Sequence, residues 1–539
     1  MGGRRRIAMA SMDYWASAPV AREQITLLAP TLDSMIGEDA QVRVLDEVLA
    51  GIDWAEWEAE YDGKRGQPPI HPRWVASCIL YGLTRGLRSS RKLEYQCSCN
   101  LEFMWLVEGR QIDHSTIAKF RTRFAKPLKG LFRQVCTIAM SIGLIRLGEV
   151  AFDGTRVRAN NSRFQTRTAK TLEEKLQALD ALFDQMLAEA KTADEQQSLE
   201  GTDDSPTRLP AELADLESRR QQVREALEKA RAADEARKCK GTNPEENPAQ
   251  VPTTDPDSKV MPNKEGGYAP NYTPTAITDG HAGFIIDADV LSEVNETPAL
   301  LSGIERITEM LGEQPEKLLT DAGNNSGAVL QALEEKGIEA YAPVEFSEPQ
   351  TGNPARRDDP TQPVPEAQWP ALPRNSKGKL AKSCFVYDAE KDVYYCPQGH
   401  EMPFEKMKSD ERGGEKIPLR VHRCSDCAGC PLAAACLDKT AKHGRTITRD
   451  GYEPVRDRTA ARMASEAGRQ VYNQRPRIAE TPFAILKRVM ELRRFLLRGR
   501  EKVKTEWTWG VTAFNIGKLV RQLARLRAEF AQMIAGTEG

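Results

Sequence analysis

The sequence predicts a mixed α/β protein. An acid-bearing sheet, interrupted by insertions, follows an all-α N-terminal domain and carries a small Cys-rich insert. Three observations predict this. First, Glu149–Ser162 reads EVAFDGTRVRANNS. Val150, Ala151 and Phe152 run into Asp153 and Gly154, and Val157 is then the only apolar side chain among Thr155, Arg156 and Arg158. That is the pattern of a strand with one carboxylate projecting near its middle. Second, the run Lys317–Thr320 ends at Asp321, followed by Ala322, Gly323, Asn324 and Asn325. Third, residues 26–148 show helical spacing, whereas five of the eleven cysteines crowd between Cys396 and Cys436.

In chain order, Leu45, Val48, Leu49 and Ile52 follow i, i+3, i+4, i+7 spacing. Val75, Ile79 and Leu83 repeat every four residues behind Pro72 at a helix start. Asp113 is placed to cap a helix whose Ile117, Phe120 and Phe124 face inward while Lys119, Arg121 and Arg123 face water. Such a helix reads either as the recognition helix of a helix-turn-helix or as a solvated helix of an all-α domain. Residues 163–240 read as an inserted helical hairpin. Leu172, Leu176, Leu179, Phe183 and Met186 mark one arm, Leu213, Leu216, Val223 and Leu227 the other, and Gly201–Pro210 the turn. Residues 171–236 carry 17 acidic against 8 basic side chains, which argues against DNA contact there and for a partner helix or a solvated projection.

A linker over 241–254 leads back to a β pattern, in which Ala276–Thr278 and Phe284–Val290 flank a turn at 279–283. A helix over Ala299–Leu311, the strand ending at Asp321, a helix over Gly327–Lys336 and a strand over Ile338–Pro343 complete a first core segment, 149–344. Residues 345–390 are rich in proline, glycine and charge and read as an exposed, partly disordered connector that buries little. Together with the cysteines they form a linker and zinc-ribbon-like insertion over 345–454. Helices over 455–539 supply the C-terminal part of the core.

At 539 residues the chain exceeds one ordinary core, so two or three domains are expected. A hydrophobic content of 40% and a charged content of 29% fit a soluble globular protein. No apolar run approaches the ~20 residues needed to cross a bilayer. Ile7–Met12, closed by Asp13, is too short for a secretory signal. A cytoplasmic protein with no membrane partner is therefore expected, and in that setting clustered cysteines favour metal over disulfides. The net charge of −2 conceals segregation, because residues 484–504 hold 8 basic and 2 acidic side chains. A local basic stripe, not the chain total, sets phosphate affinity.

Two strand-borne aspartates and a helix-borne glutamate suit phosphoryl transfer. Two divalent ions ~3.5–4 Å apart polarise the phosphorus, activate the nucleophile and stabilise the leaving oxygen. Mg²⁺ or Mn²⁺ needs only a few carboxylates on rigid elements. The candidate ligands are Asp153, Asp321 and Glu480, with Glu506 the alternate for the third. Glu480 opens a helical pattern on which Lys487 and Arg494 fall at i+7 and i+14, on one face. Glu506 instead has Lys502 one turn before it, as an i, i+4 ion pair. Arg475, Lys487, Arg494, Arg498 and Lys502, with Lys119, Arg121 and Arg123 upstream, are the candidate DNA contacts. Cys396-Pro397-x-Gly399-His400 and Cys424-x2-Cys427-x2-Cys430-x5-Cys436 have the spacing of a tetrahedral Zn²⁺ site. The expected ligands are Cys396, Cys427, Cys430 and Cys436, with Cys424 and His400 as alternates. Trp507 and Trp509 read as core residues before base-stacking ones, and Cys97 and Cys99 as ordinary thiols.

Asp153-Gly154-Thr155 with Ala159-Asn160, the Asp255-Pro256-Asp257 box, Asp321-x-Gly323 and Tyr472-x2-Arg475…Glu480-x6-Lys487 resemble insertion-sequence DDE transposases. Arg498-Gly499-Arg500-x-Lys502-Val503-x-x-Glu506 with Asn515, and Asp113-His114-Ser115-Thr116 before Phe120 and Arg121, extend the resemblance over most of the chain. It implies an RNase-H-like catalytic core that cuts DNA at the ends of an element and joins them to target DNA. The family's acids fall on Asp153, Asp321 and Glu480. Two departures stand out: Asn324 where the family commonly has Tyr, and one extra residue between Arg475 and Glu480. The resemblance implies a double-stranded DNA partner at element ends and target, a divalent cation, and a homo-oligomer on DNA. A related nuclease that cuts without joining, or a catalytically inactive DNA-binding protein, are the alternatives.

Overall fold

The computed structural model of the chain describes residues 30–61, 68–162, 164–199, 211–239, 241–263, 266–344, 352–412, 415–438 and 443–537. The N-terminal region is helical: α1 (Gln41–Ala50), α2 (Ala55–Glu58), α3 (Pro72–Thr84), α4 (Ser90–Cys99), α5 (Leu101–Leu106), α6 (His114–Arg123) and α7 (Ala125–Ser141). Pro72 occupies the first turn of α3, where its missing N–H costs nothing. The Asp113 carboxylate accepts the N–H groups of Ser115 and Thr116 and so starts α6. Ile117, Phe120 and Phe124 are buried, and both phenylalanines stack on Trp57.

Arg121 corrects the expected polarity of α6. It does not face water: its guanidinium donates to the Arg88 carbonyl, and burial lowers its pKa. Its own carbonyl accepts from Trp509 Nε1 at 3.2 Å. Arg123 lies over the rings of Tyr61 and Phe124, while Lys119 is exposed.

A mixed sheet follows. Its strands are β1 (Glu149–Gly154) and β2 (Val157–Arg158), then β5 (Lys259–Pro262), β6 (Tyr268–Asp279), β7 (Ile285–Leu291), β8 (Lys317–Leu319) and β9 (Glu339–Tyr341). Five strands lie side by side in the order β7-β6-β1-β8-β9. β6 runs antiparallel to β1 and β7, whereas β8 and β9 run parallel to β1. β2 and β5 pair with the first part of the long β6. Helices α10 (Thr297–Leu311) and α11 (Gly327–Glu335) provide the crossovers. The hairpin insertion is α8 (Ala169–Leu199) and α9 (Ala211–Cys239), closed at its base by β3 (Thr166–Arg167) on β4 (Val251–Pro252). Leu172, Val223 and Leu227 bury its seam; the turn expected at Gly201–Pro210 lies outside the described residues.

The segment expected to be an exposed connector is not one. From residue 352 onward it buries Ala355, Leu372, Leu380, Cys384 and Phe385 with Cys396, Cys424 and Cys436 in a second core. Its prolines shape turns around that core; residues 345–351 lie outside the described residues. β10 (Val386–Asp388), β11 (Val393–Tyr395) and β12 (Glu401–Met402) make one small sheet. β13 (Phe404–Arg412), β14 (Glu415–Arg423) and β15 (Thr446–Asp450) make another, with α12 (Ala433–Cys436) between β14 and β15 in sequence.

The chain then returns through α13 (Glu453–Ala464), α14 (Glu466–Tyr472), a π turn (Pro476–Glu480), α15 (Thr481–Arg488) and α16 (Arg500–Thr537). The helix expected to carry Glu480, Lys487 and Arg494 on one face ends early, at Arg488. The backbone turns at Glu491 in the left-handed region, φ 59°, so Arg494 instead sits beside Arg158 in an extended bridge. α16 packs on α1, α3, α6, α7 and β7. Trp507 and Trp509 are 1% and 2% exposed, which makes them core residues. The Asn515 amide exchanges two hydrogen bonds with the backbone of Ile285 in β7.

Candidate active site

Strand alternation sets the face on which the aspartates stand. In β1, Val150 and Phe152 enter the main core, while Ala151 joins a smaller cluster with Leu319, Tyr341, Met463, Ile478 and Ala479. Asp153, two residues beyond Ala151, shares that second face. In β8, Leu318 enters the main core and Leu319 the smaller cluster, so Asp321 shares the face of Leu319. Ala151 is the register partner of Leu319. The two acids therefore leave adjacent parallel strands at the same level, below the π turn that carries Ile478 and Ala479.

That turn brings the third acid. Arg475 Nη2 lies 3.3 Å from Asp153 Oδ1, and Arg475 Nη1 lies 3.8 Å from Glu480 Oε1. The π turn accounts for the extra residue between Arg475 and Glu480: one wider turn absorbs an insertion within a helix and leaves both side chains on one side. Glu480 is 63% exposed, whereas Asp153 and Arg475 are 12% and 13% exposed. Tyr472 lies close by, its phenol pKa raised by burial. Lys487, on α15, donates to Thr155 Oγ1 and, at 2.9 Å, to the Arg156 carbonyl. Asp321 Oδ1 accepts from Gly323 N at 3.0 Å and from Asn324 Nδ2 at 2.9 Å. Asn324, at the position that departs from the family pattern, is buried and fixes the aspartate rotamer.

A carboxylate that sequence reasoning missed lies across the end of β1, on the side that Gly154 faces. Glu296, just before α10, pairs with Arg156 Nη1 at 3.1 Å and is 15% exposed. A Cβ on Gly154 would overlap its carboxyl group. Burial raises its pKa, and the negative charge of Asp153 adds to the effect. The signal available in sequence was Gly154 itself, a residue without a side chain directly after the strand aspartate.

Glu506 is elsewhere in the network. Its carboxylate accepts from Arg88 Nη2 at 2.6 Å and from the backbone N–H groups of Leu496 and Leu497, each at 2.9 Å. The expected pairing with Lys502 is replaced by this buried one. Arg498 Nε donates to the Asn160 carbonyl at 3.0 Å, and Arg494 reaches Asn160 Oδ1 at 3.5 Å. Both arginines and Lys502 are exposed, so a basic rim continues from Lys487 along the strand that leaves Asp153. The Asp255-Pro256-Asp257 box starts α16: Asp255 Oδ1 accepts from Gly499 N and Asp257 Oδ2 from Arg500 N. Tyr272 OH also donates to Asp255 Oδ1, at 2.7 Å.

The second core gathers thiols. Cys396, Cys424, Cys427, Cys430 and Cys436 line one small cavity with His400 and Arg445. The Cys396 thiol pKa is drawn down to about 6, first by a hydrogen bond from Cys424, whose own pKa rises. Cys424, an alternate in the sequence reading, is thus bonded to the first expected ligand. Among the described residues, no three His, Cys, Asp or Glu side chains already form a metal-holding group; Asp153 and Glu296 each face an arginine.

Residues 395–520 match the Transposase DDE domain, a span that includes the thiols, Arg475, Glu480, Lys487 and Glu506. Residues 30–123 match a Transposase domain (DUF772), which covers α1 to α6. The C-terminal part of the chain is thus similar to a DDE transposase domain. The two matches together show the resemblance to insertion-sequence DDE transposases. No curated protein sequence matches the chain significantly. A DDE transposase domain implies transposition chemistry on DNA with a divalent metal in general, and the mixed α/β fold with its helical N-terminal region is consistent with one. Among the described residues, no helix of this transposase-like chain is long and apolar enough to cross a membrane.

Proposed function

We propose that the chain cuts DNA at the ends of an insertion sequence and transfers the freed strand to target DNA, on an RNase-H-like core. The observation that carries this reading is the convergence of Asp153, Asp321 and the Arg475–Glu480 pair above two adjacent parallel strand ends. The strand order β7-β6-β1-β8-β9, antiparallel on one side of β1 and parallel on the other, supports the core assignment. Carboxylate oxygens on rigid elements fit Mg²⁺ or Mn²⁺, and Asp153, Asp321 and Glu480 are the residues that would hold it. Bound there, two such ions would polarise the phosphodiester and stabilise the leaving oxygen. Arg475 balances the clustered negative charge. Lys487, anchored on the turn after β1, holds a phosphate beside the acids, and Arg494, Arg498 and Lys502 track the DNA backbone. On α6, Lys119 and Arg123 remain as DNA contacts. We assign the protein to the cytoplasm as a homo-oligomer on DNA.

The test is incubation of the full chain and Mg²⁺ with duplexes carrying the DNA that flanks its own coding sequence, with products sized on a gel. Cleavage plus joined products is expected. Cleavage without joining would favour the related nuclease, and no cleavage an inactive DNA-binding protein.

The five converging thiols support a structural Zn²⁺ held by four of them, with Cys396, Cys427, Cys430 and Cys436 the sequence-derived set and Cys424 or His400 able to replace a member. Purified protein is expected to contain about one Zn²⁺ per chain. Cys396→Ser and Cys430→Ser should each lower both metal content and melting temperature, because structural zinc contributes folding energy directly. Elemental analysis that finds no zinc in protein prepared without chelator would refute this assignment.

A further inference from the structure

We infer that the cavity at the base of the helical hairpin is a docking site for the phosphate backbone of duplex DNA, continuing the basic rim beyond Arg498; the inference rests on the functional reading above. The cavity, of about 360 Å³, lies where α8 and α9 meet the β3-β4 pair. Arg167 of β3, Lys175 of α8 and Arg219 of α9 line it, and all three are exposed. Leu179 and Val223 supply apolar wall, and Gln222 and Thr254 add an amide and a hydroxyl.

Charge singles this place out. Residues 171–236 hold 17 acidic and 8 basic side chains, yet among the described residues no carboxylate lines the cavity. Neighbouring acids of the hairpin are engaged elsewhere: Glu173 pairs with Arg231 and Asp180 with Arg220, each at 2.6 Å. Arg167 meets backbone carbonyls, of Phe164 at 2.9 Å and of Thr166 at 3.0 Å. Arg219 pairs with Asp215 at 2.7 Å, but the two side chains are 65% and 62% exposed, and a pair so open to water holds its members weakly. A recess lined by one sign of charge against low-dielectric walls focuses its field and draws in the opposite charge. The local balance is therefore the reverse of that of the hairpin as a whole.

Position decides which anion fits. Thr254 donates to Asn161 Oδ1 from its hydroxyl and, at 3.0 Å, from its backbone N–H. The preceding residue, Asn160, accepts from Arg498 at its carbonyl and from Arg494 at its side chain. One short stretch of chain thus carries both the basic rim and a wall of the cavity. Duplex DNA presents a charge every ~1.7 Å along its axis, so a backbone tracked by Arg494 and Arg498 offers further phosphates to a basic recess on the same path. That continuity favours a polymer of phosphates over a single small anion.

Binding of the full chain to a duplex of its flanking DNA, read by fluorescence anisotropy across a salt series, tests the inference. Each phosphate neutralised contributes about −0.9 to the slope of log affinity against log salt. Lys175→Gln/Arg219→Gln is expected to weaken binding about tenfold or more and to flatten the slope by about two. Arg224→Gln/Arg231→Gln removes the same charge from the same hairpin outside the cavity, and should leave affinity and slope near wild type. Gln222→Glu, which puts an acid into the cavity wall, should weaken binding; if the Lys175/Arg219 variant melts early, this single exposed change decides. Equal losses in the two double variants would mean that only overall charge matters, and the inference falls. Wild-type affinity and slope in the Lys175/Arg219 variant, while Arg494→Gln/Arg498→Gln binds weakly, would overturn the inference and leave the functional reading standing. If the wild-type chain fails to bind the duplex even at low salt, the functional reading itself fails and the inference with it.

Discussion

Asp321→Asn is expected to abolish Mg²⁺-dependent cleavage while leaving the melting temperature unchanged. The amide keeps a carbonyl oxygen for Gly323 N–H and for Asn324 Nδ2, the two hydrogen bonds that fix this side chain. What it loses is the negative charge. Metal polarisation of a phosphodiester supplies several kcal/mol, and each ~1.4 kcal/mol is tenfold in rate. A fall of about three orders of magnitude or more is therefore expected. DNA binding, read by mobility shift, should persist, because Asp321 contacts no phosphate. Asp153→Asn should be equally inactive but less stable, since it unpairs a nearly buried Arg475. Near wild-type cleavage in either variant would sink the two-metal reading.

The two glutamates should separate by phenotype. Glu480→Gln removes a carboxylate that is 63% exposed and whose ion pair with Arg475 is 3.8 Å long, so folding should survive and cleavage should not. Glu506→Gln is expected to do the reverse in proportion. Glu506 and Arg88 are each 11% exposed, and the carboxylate also takes the Leu496 and Leu497 amides. Breaking a buried, hydrogen-bonded ion pair costs roughly 3–5 kcal/mol, so a clear drop in melting temperature is expected, with cleavage reduced only as far as the loop 489–499 loosens. Cleavage lost in Glu506→Gln at unchanged stability, with Glu480→Gln active, would exchange their roles.

The apolar runs that lead into Asp153 and Asp321 were legible in the sequence, and the parallel pairing of β1 with β8, Ala151 opposite Leu319, sets the two acids on one face. The helical starts at Pro72 and Asp113 were legible as well, because capping is local chemistry. Three features depended on tertiary contacts that no local pattern reports. Arg121 has the spacing of a solvated residue, yet α16 and Arg88 cover it. The segment after residue 351 has the composition of a connector, but a handful of apolar residues spaced among its prolines suffices for a small core built around cysteines. Glu296 lies more than 140 positions from Asp153, and only the pairing of β7 through β6 to β1 brings the chain back to it.

α16 has a consequence for any attempt to dissect the molecule. One continuous set of buried side chains runs from Ile36 through the sheet to Val520, and α16 touches both the early helices and β7. The stretch up to residue 148 is therefore no detachable reader that could be grafted onto another enzyme. Expressed alone it would present the apolar surfaces that α16 covers, Trp57 and Phe120 around Trp509 among them. The remainder would be left with a matching bare stripe. Exchanging that first stretch between chains of this kind would take from both pieces the core they share, so differences between them are accommodated by substitution at the surface.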